Sequence, residues 1–251
     1  MKDVVAVATS ILTLDLGNST LDAMWHTDPL QRERIEPGDE AGLRDFLANK
    51  RASVAAAVSV VEGGLSQVVR LLGETGCPLL VAGQDLSCPL TIAYRDPERL
   101  GPDRWVSAYA AWRMYGPAVV VDCGSAVTVD LVDQEGVFRG GMIAPGVHGM
   151  VLGLAAQAPG LPTADLEVEP EIPALSPEAA VSAGVQLGFR AMVDGLVASL
   201  RRSTGVSSST MVLTGGGASA YLAAPGLDCR HHTDLIHRGL KWLAEEHVSS
   251  S

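Results

Sequence analysis

Residues 14–20 read LDLGNST and residues 119–125 read VVVDCGS. Each is an apolar run ending in aspartate, one further residue, glycine and a small hydroxyl or amide residue. Such a run is a strand entering a tight turn, with a carboxylate, Asp15 or Asp122, at its mouth. Glycine permits the turn's backbone angles and lets the main chain approach a ligand closely. The N–H groups that follow, with the hydroxyls of Ser19, Thr20, Ser125 and Thr128, are donors suited to phosphate oxygens. An aspartate repels phosphate, so it must act through a cation or an ordered water, as phosphoryl-transfer sites do. One copy alone reads equally well as an ordinary hairpin turn. Two copies with the same grammar, nearly half a chain apart, favour a duplication.

Outward from these turns, short apolar runs alternate with helical patterns. ILTLDLG (11–17) and LDAMWH (21–26) form a hairpin around the first turn. Residues 39–50 have a helical spacing with Leu43, Phe46 and Leu47 on one face. A buried strand at 53–61, a helix at 65–76 closed by glycine and a strand at 78–83 follow. This alternation predicts an α/β domain with a largely parallel inner sheet. Pro102 suits the first position of a helix reaching residue 115. VVVDCG, VTVDLVD (127–133) and VFRGGMIA (137–144) then repeat the hairpin theme. A helix at 146–157, a proline- and acid-rich surface loop at 158–177, a long helix at about 177–203, a strand at 210–214 and a short strand with a terminal helix complete the chain. The reading is of two mixed α/β halves, 1–115 and 116–251, meeting near MYGPA (114–118), with a nucleotide cleft expected between them.

Composition bounds the function. The chain has 251 residues, 47% hydrophobic and 19% charged, which is a globular composition. A net charge of −11 argues against a nucleic-acid or anionic-membrane binder but not against a phosphorylated small ligand held by one local loop. The four cysteines, Cys77, Cys88, Cys123 and Cys229, have no CxxC or zinc spacing and read as reduced thiols of a cytoplasmic protein. His231 and His232 read as surface residues. The run VVAVATSILTL (4–14) reads as a strand, or a tail and a strand, rather than a signal peptide, and no run approaches the roughly 20 apolar residues of a membrane span.

Two further stretches carry chemistry. TGGGA (214–218) follows an apolar run, and its bare backbone can accept a flat base or ribose. In LGPDRWVSAYAAW (100–112), Asp103 and Arg104 sit at a helix start. There Asp103 can accept a proton from a hydroxyl, and Arg104 can clamp a carboxylate with its planar fork. A plain N-terminal aspartate with an exposed arginine fits this stretch too. Tyr94 can either reach the same pocket or sit half-buried.

Taken in order, DLGNS (15–19), Tyr94 followed by GPDR (101–104), DCGSAVTVD (122–130), GGMIAPGV (140–147), LP (161–162) and TGGGA (214–218) resemble the type III pantothenate kinases. These are a branch of the acetate kinase/sugar kinase/Hsp70/actin superfamily. The resemblance implies two duplicated ribonuclease H-like domains forming two lobes, and ATP-dependent phosphorylation of pantothenate, the first step of coenzyme A synthesis. It implies that Asp15, Leu16, Gly17, Asn18, Ser19, Thr20, Leu21 and Asp22 bind the ATP phosphates, with Asp15 acting on Mg²⁺ indirectly. It adds Gly124, Ser125, Thr128, Gly215 and Gly216 to the ATP site and gives Asp122 a monovalent cation, K⁺ or NH₄⁺. Asp103 becomes the catalytic base, and Tyr94, Gly101, Pro102, Asp103, Arg104 and Pro177 bind pantothenate. A homodimer with a shared substrate site is implied as well.

The sequence departs from the family pattern at three places. The usual GNT is GNS, which keeps a hydroxyl. GTATT is GSAVT, so Val127 lacks one. Pro177 stands where a threonine contacts the neighbour's pantothenate, with Ser176 beside it. Two other readings fit the same residues: a non-catalytic relative that binds nucleotide or a partner protein, and a kinase for another small hydroxy-acid.

Overall fold

The structure is a computed structural model that describes residues 10–48, 50–61, 63–222 and 228–250. Residues 4–9 of the expected N-terminal strand lie outside the described residues. The chain divides into two compact units, and the division is not a single cut at 115/116. The first unit takes residues 1–89, 98–107 and 236–251, and the second takes 90–97 and 108–235. The terminal helix therefore belongs with the N-terminal strands.

The first unit holds a five-stranded sheet. Its strands are β1 (Ile11–Leu16), β2 (Leu21–His26), β3 (Gln31–Ile35), β4 (Val54–Ser59) and β5 (Leu79–Val81), in spatial order β3-β2-β1-β4-β5. β1 pairs antiparallel with β2 and parallel with β4; β2–β3 is antiparallel and β4–β5 parallel. The sheet is thus mixed rather than largely parallel, because the two hairpins that open the unit supply antiparallel pairs and only the helical crossovers supply parallel ones. β3 reads QRERI, four polar residues of five, so no apolar alternation marks it in the sequence. It forms because it is an edge strand whose Ile35 alone is buried.

Alternate residues of the central strands face opposite sides. Leu12, Leu14 and Leu16 join Ala23, Trp25, Ala55 and Ala57 in a core with Leu43, Phe46, Val68, Leu71 and Leu72. Those last five come from α1 (Glu40–Leu47) and α2 (Leu65–Thr75). Asp39 caps α1 by accepting from Gly42 N–H at 2.9 Å, and Gly76, at φ +71, closes α2. On the other side the start of α3 (Pro102–Tyr115), of which residues 102–107 belong to this unit, meets α7 (Leu235–Ser250). A Cβ on Gly239 would lie 2.6 Å from Val106 O, so the two backbones touch there.

The second unit repeats this plan. It uses β6 (Thr91–Ile92), β7 (Ala118–Cys123), β8 (Ala126–Val132), β9 (Val137–Pro145), β10 (Thr210–Thr214) and β11 (Arg230–His231), in order β11-β10-β7-β8-β9-β6. The run β9-β8-β7-β10-β11 matches β3-β2-β1-β4-β5 in order and direction. The duplication inferred from two turns is therefore a duplication of whole sheets. β6, a two-residue strand added outside it, had no sequence signal. α4 (Val147–Gln157), α5 (Pro177–Thr204) and α6 (Ala218–Leu222) belong to this unit. Phe189, Val193 and Val197 of α5 pack on Val119, Val121, Val129 and Leu213. The loop expected at 158–177 ends at 176, where α5 begins, and it is pinned to α5, since Ser182 accepts from Asp165 N–H and Gln186 donates to the carbonyls of Asp165 and Val168. The short helix α6 after TGGGA was not anticipated. All four cysteines are free thiols. His231 is exposed, whereas His232 is half-buried with its Nε2 2.5 Å from the Tyr115 hydroxyl.

Candidate active site

In the first unit the turn Gly17–Thr20 closes with Gly17 N–H donating to Thr20 C=O at 3.0 Å. Asn18 and Ser19 are exposed on it, and Asp15 is half-buried at the end of β1. The hairpin register sets Asp15 directly opposite Asp22, so both carboxylates project from one face of the sheet.

Asp22 is otherwise engaged. Arg32 donates from Nε to Oδ1 at 2.8 Å and from Nη2 to Oδ2 at 2.6 Å, Arg34 Nε donates to Oδ2 at 3.3 Å, and His237 Nε2 lies 3.3 Å from Oδ1. Burial raises the pKa of Asp22, but the hydrogen bonds from Arg32, with the His237 ring close by, outweigh it and hold the carboxyl well below its usual range. His237 is fully buried; its Nδ1 is 2.8 Å from Thr13 Oγ1, which also meets His26 Nε2 at 2.9 Å. Asp22 therefore lies beside the Gly17–Thr20 turn, while its acceptor sites face side chains of this unit.

GPDR opens α3 in the same unit. Pro102 occupies the first turn, where a missing N–H costs nothing. A Cβ on Gly101 would lie 2.5 Å from Asp103 Oδ1, so glycine makes room for that carboxylate. Asp103 is half-buried and Arg104 buried. A guanidinium fixed beside a carboxylate at a helix start can hold an anionic substrate group while the carboxylate orients a hydroxyl.

The second unit builds its turn around Asp122. Its cross-strand neighbours are Thr128 on β8 and Thr214 on β10, all on one face. Gly215, at φ +88, runs so close that a Cβ there would lie 2.4 Å from Asp122 Oδ1. Gly217 N–H donates to Cys123 C=O at 2.7 Å, and Gly124 N–H to Ala126 C=O at 3.0 Å. The 122–126 turn and the glycine turn that includes Gly215 and Gly216 thus form one cradle, with Ser125 exposed at its rim. The GGMIAPGV segment completes it: a Cβ on Gly146 would meet Gly124 O at 2.3 Å and one on Gly141 would meet Asp130 Oδ1 at 2.2 Å. Burial, then the Asp122 charge, pushes the Cys123 thiol up to about 12, which keeps it protonated.

Val127 corrects an expectation. It is not a site residue missing its hydroxyl. It pairs with Cys123 on the opposite face and is fully buried in the apolar core beside Val129. Tyr94 packs its ring against Gly140, at φ +90, 3.8 Å from where a Cβ would stand. Pro177 is the first residue of α5, and the Ser176 hydroxyl caps that helix by accepting from Ala179 N–H at 3.1 Å. Sequence reasoning missed Thr214 and the buried Asp130. The period-2 pattern of VTVDLVD puts Thr128 and Asp130 on one face and was the signal for the second.

Two copies of a hairpin with an aspartate at its turn, on repeated mixed sheets, define the two-sheet α/β fold of the actin, Hsp70 and sugar kinase type. A ROK family glucokinase from Streptomyces griseus, solved with glucose and AMPPNP, shares this fold at 10% identity with a TM-score of 0.52, over 94% of this chain and 98% of that one. More narrowly, the sequence model of the type III pantothenate kinases matches residues 11–199. A type III pantothenate kinase from Moorella thermoacetica is 33% identical over 95% of this chain and 100% of its own length. One from Persephonella marina is 32% identical, the match spanning 61% of this chain and 59% of that relative. The chain belongs to the type III pantothenate kinase family.

Proposed function

We propose that this chain transfers the γ-phosphoryl group of ATP to the primary hydroxyl of pantothenate, giving 4'-phosphopantothenate and ADP. The observation that carries the reading is the intact GPDR at the start of α3 in a chain of this family. Asp103 orients the hydroxyl and takes its proton as the oxygen attacks the γ-phosphorus and the bond to the ADP oxygen breaks. Arg104 and Tyr94 hold the pantothenate, Arg104 through its carboxylate. Gly17 to Thr20, with Gly124, Ser125 and Thr128, bind the phosphates. Gly215 and Gly216 lie against the nucleoside.

The residues fit a divalent ion of the kind ATP brings. No group of three or more acidic, histidine or cysteine ligands occurs among the described residues, and Mg²⁺ is commonly held by one or two carboxylates plus phosphates and water. Bound Mg²⁺ would neutralise charge on the phosphates, and Asp15 is the residue that would hold it, through water. Asp122, with Gly215 pressed against it, suits K⁺ or NH₄⁺.

The chain acts in the cytoplasm as a homodimer. Supporting the dimer, α4 is apolar almost throughout yet leaves Leu152 70% exposed, with Ile143 of β9 64% exposed. No described helix is long and apolar enough to cross a membrane. Purified protein with ATP, Mg²⁺, K⁺ and pantothenate should yield phosphopantothenate, and Asp103→Asn should cut kcat at least about 100-fold while ATP affinity holds. Absence of product from the wild-type chain overturns the reading. Pro177 favours testing a second reading, a kinase for another small hydroxy-acid, because proline cannot donate the hydrogen bond that the family's threonine makes. A panel of hydroxy-acids in the same assay decides it.

A further inference from the structure

We infer that Arg34 is a phosphate-binding residue of the first turn, a role that rests on the reading above that this turn holds the ATP phosphates. The strand registers place Asp15, Asp22 and Arg34 in one straight cross-strand row, Asp15 opposite Asp22 and Asp22 opposite Arg34. Side chains in such a row share a face, with neighbouring Cβ atoms about 5 Å apart.

Two opposed carboxylates at the mouth of a phosphate turn repel both each other and the ligand. The two arginines of β3 remove that difficulty in different ways. Arg32 grips both oxygens of Asp22, and its side chain is 24% exposed. Arg34 touches Asp22 only through Nε, and its side chain is 56% exposed. Its Nη1 and Nη2 have no protein partner among the described residues. Asp22 accepts three hydrogen bonds from Arg32 and Arg34, with His237 Nε2 3.3 Å from Oδ1, and serves as the anchor for Arg34 rather than as a metal ligand. The formal charges of Asp15, Asp22, Arg32 and Arg34 cancel, so a polyphosphate meets a neutral row carrying a planar cation with two outward donors. That fork matches two phosphate oxygens.

Charge on an edge strand also discourages sheet-to-sheet pairing. Any charge serves that end, so lysine would replace arginine without loss. A phosphate ligand anchored through Nε needs arginine, because lysine cannot hold Asp22 and present a fork at once.

Calorimetric titration of the full chain with Mg²⁺ and AMPPNP tests the assignment. Arg34→Ala is expected to weaken binding roughly tenfold, and Arg34→Lys to recover only part of it. The KM for pantothenate should stay within about twofold, and the melting temperature within about 2 °C, as befits an exposed side chain. Wild-type affinity in Arg34→Ala, or full recovery in Arg34→Lys, overturns the inference and leaves the proposed reaction standing. A loss confined to the pantothenate KM overturns it as well. A wild-type chain that binds no Mg·AMPPNP overturns it together with the reading on which it rests.

Discussion

Replacing Gly215 by alanine should strongly destabilise the second unit around the Asp122 turn. At φ +88 the backbone there is outside the range that an L side chain adopts readily, a cost of about 1–3 kcal/mol. The new Cβ would also stand 2.4 Å from Asp122 Oδ1 and 2.6 Å from the backbone N and C of Cys123. The carboxylate can rotate away, but the Cys123 backbone is fixed in β7 between β8 and β10. Overpacking against fixed backbone adds about 1–3 kcal/mol. Together these give about 2–6 kcal/mol, which for a chain of this size lowers the melting temperature by roughly 5–20 °C. Displacing the Asp122 carboxylate should also abolish any stimulation of the kinase by K⁺. Thermal unfolding followed by circular dichroism, with rates measured with and without K⁺, reads both effects. Gly153→Ala is the control. Its Cβ meets nothing within 4 Å, it lies inside α4, and it should melt no lower than wild type. If Gly215→Ala melted within about 2 °C of wild type, the close approach of the glycine turn to Asp122 would be wrong.

Two other outcomes follow from the packing. Val127→Thr restores the hydroxyl of the family pattern but buries it in the core. It should cost about 1–3 kcal/mol in thermal unfolding, with no gain in ATP affinity by calorimetry. Asp22 has a folded pKa lowered beneath its unfolded value of 3.8, so its stabilisation is present above about pH 4 and is lost as the pH falls further. Acid titration of stability should show this limb, and Asp22→Asn should flatten it; an unchanged acid limb in that variant would refute the ion-pair account.

Much of this architecture was legible because its causes are local. The hairpins announce themselves by apolar runs broken at D-x-G. Helices α1, α2 and α5 announce themselves by Asp39, Gly76, Ser176 and Gly205, which satisfy or terminate the helix ends through neighbours in sequence. Strand β3 was not legible, because an edge strand needs only one buried residue, Ile35, and QRERI carries no alternation of apolar residues. Val127 was readable in principle. Period 2 along β8 sends it away from Thr128, yet alignment to a motif treats every hydroxyl position as equal.

The sequence by itself determined the two aspartate–glycine hairpin turns, the placement of Asp103 and Arg104 at a helix start, and the family. The tertiary structure alone decided which of the acidic residues face a partner. His237 is 224 positions from Thr13, and its ring contacts both Thr13 and Asp22 only because α7 returns to the first sheet. Arg32 and Arg34 reach Asp22 only through the β2–β3 register. Local pattern fixes where a strand or helix begins and ends, since those energies come from neighbours in the chain. The state of a buried carboxylate depends on charges brought to it by distant segments, and no short window of sequence contains them.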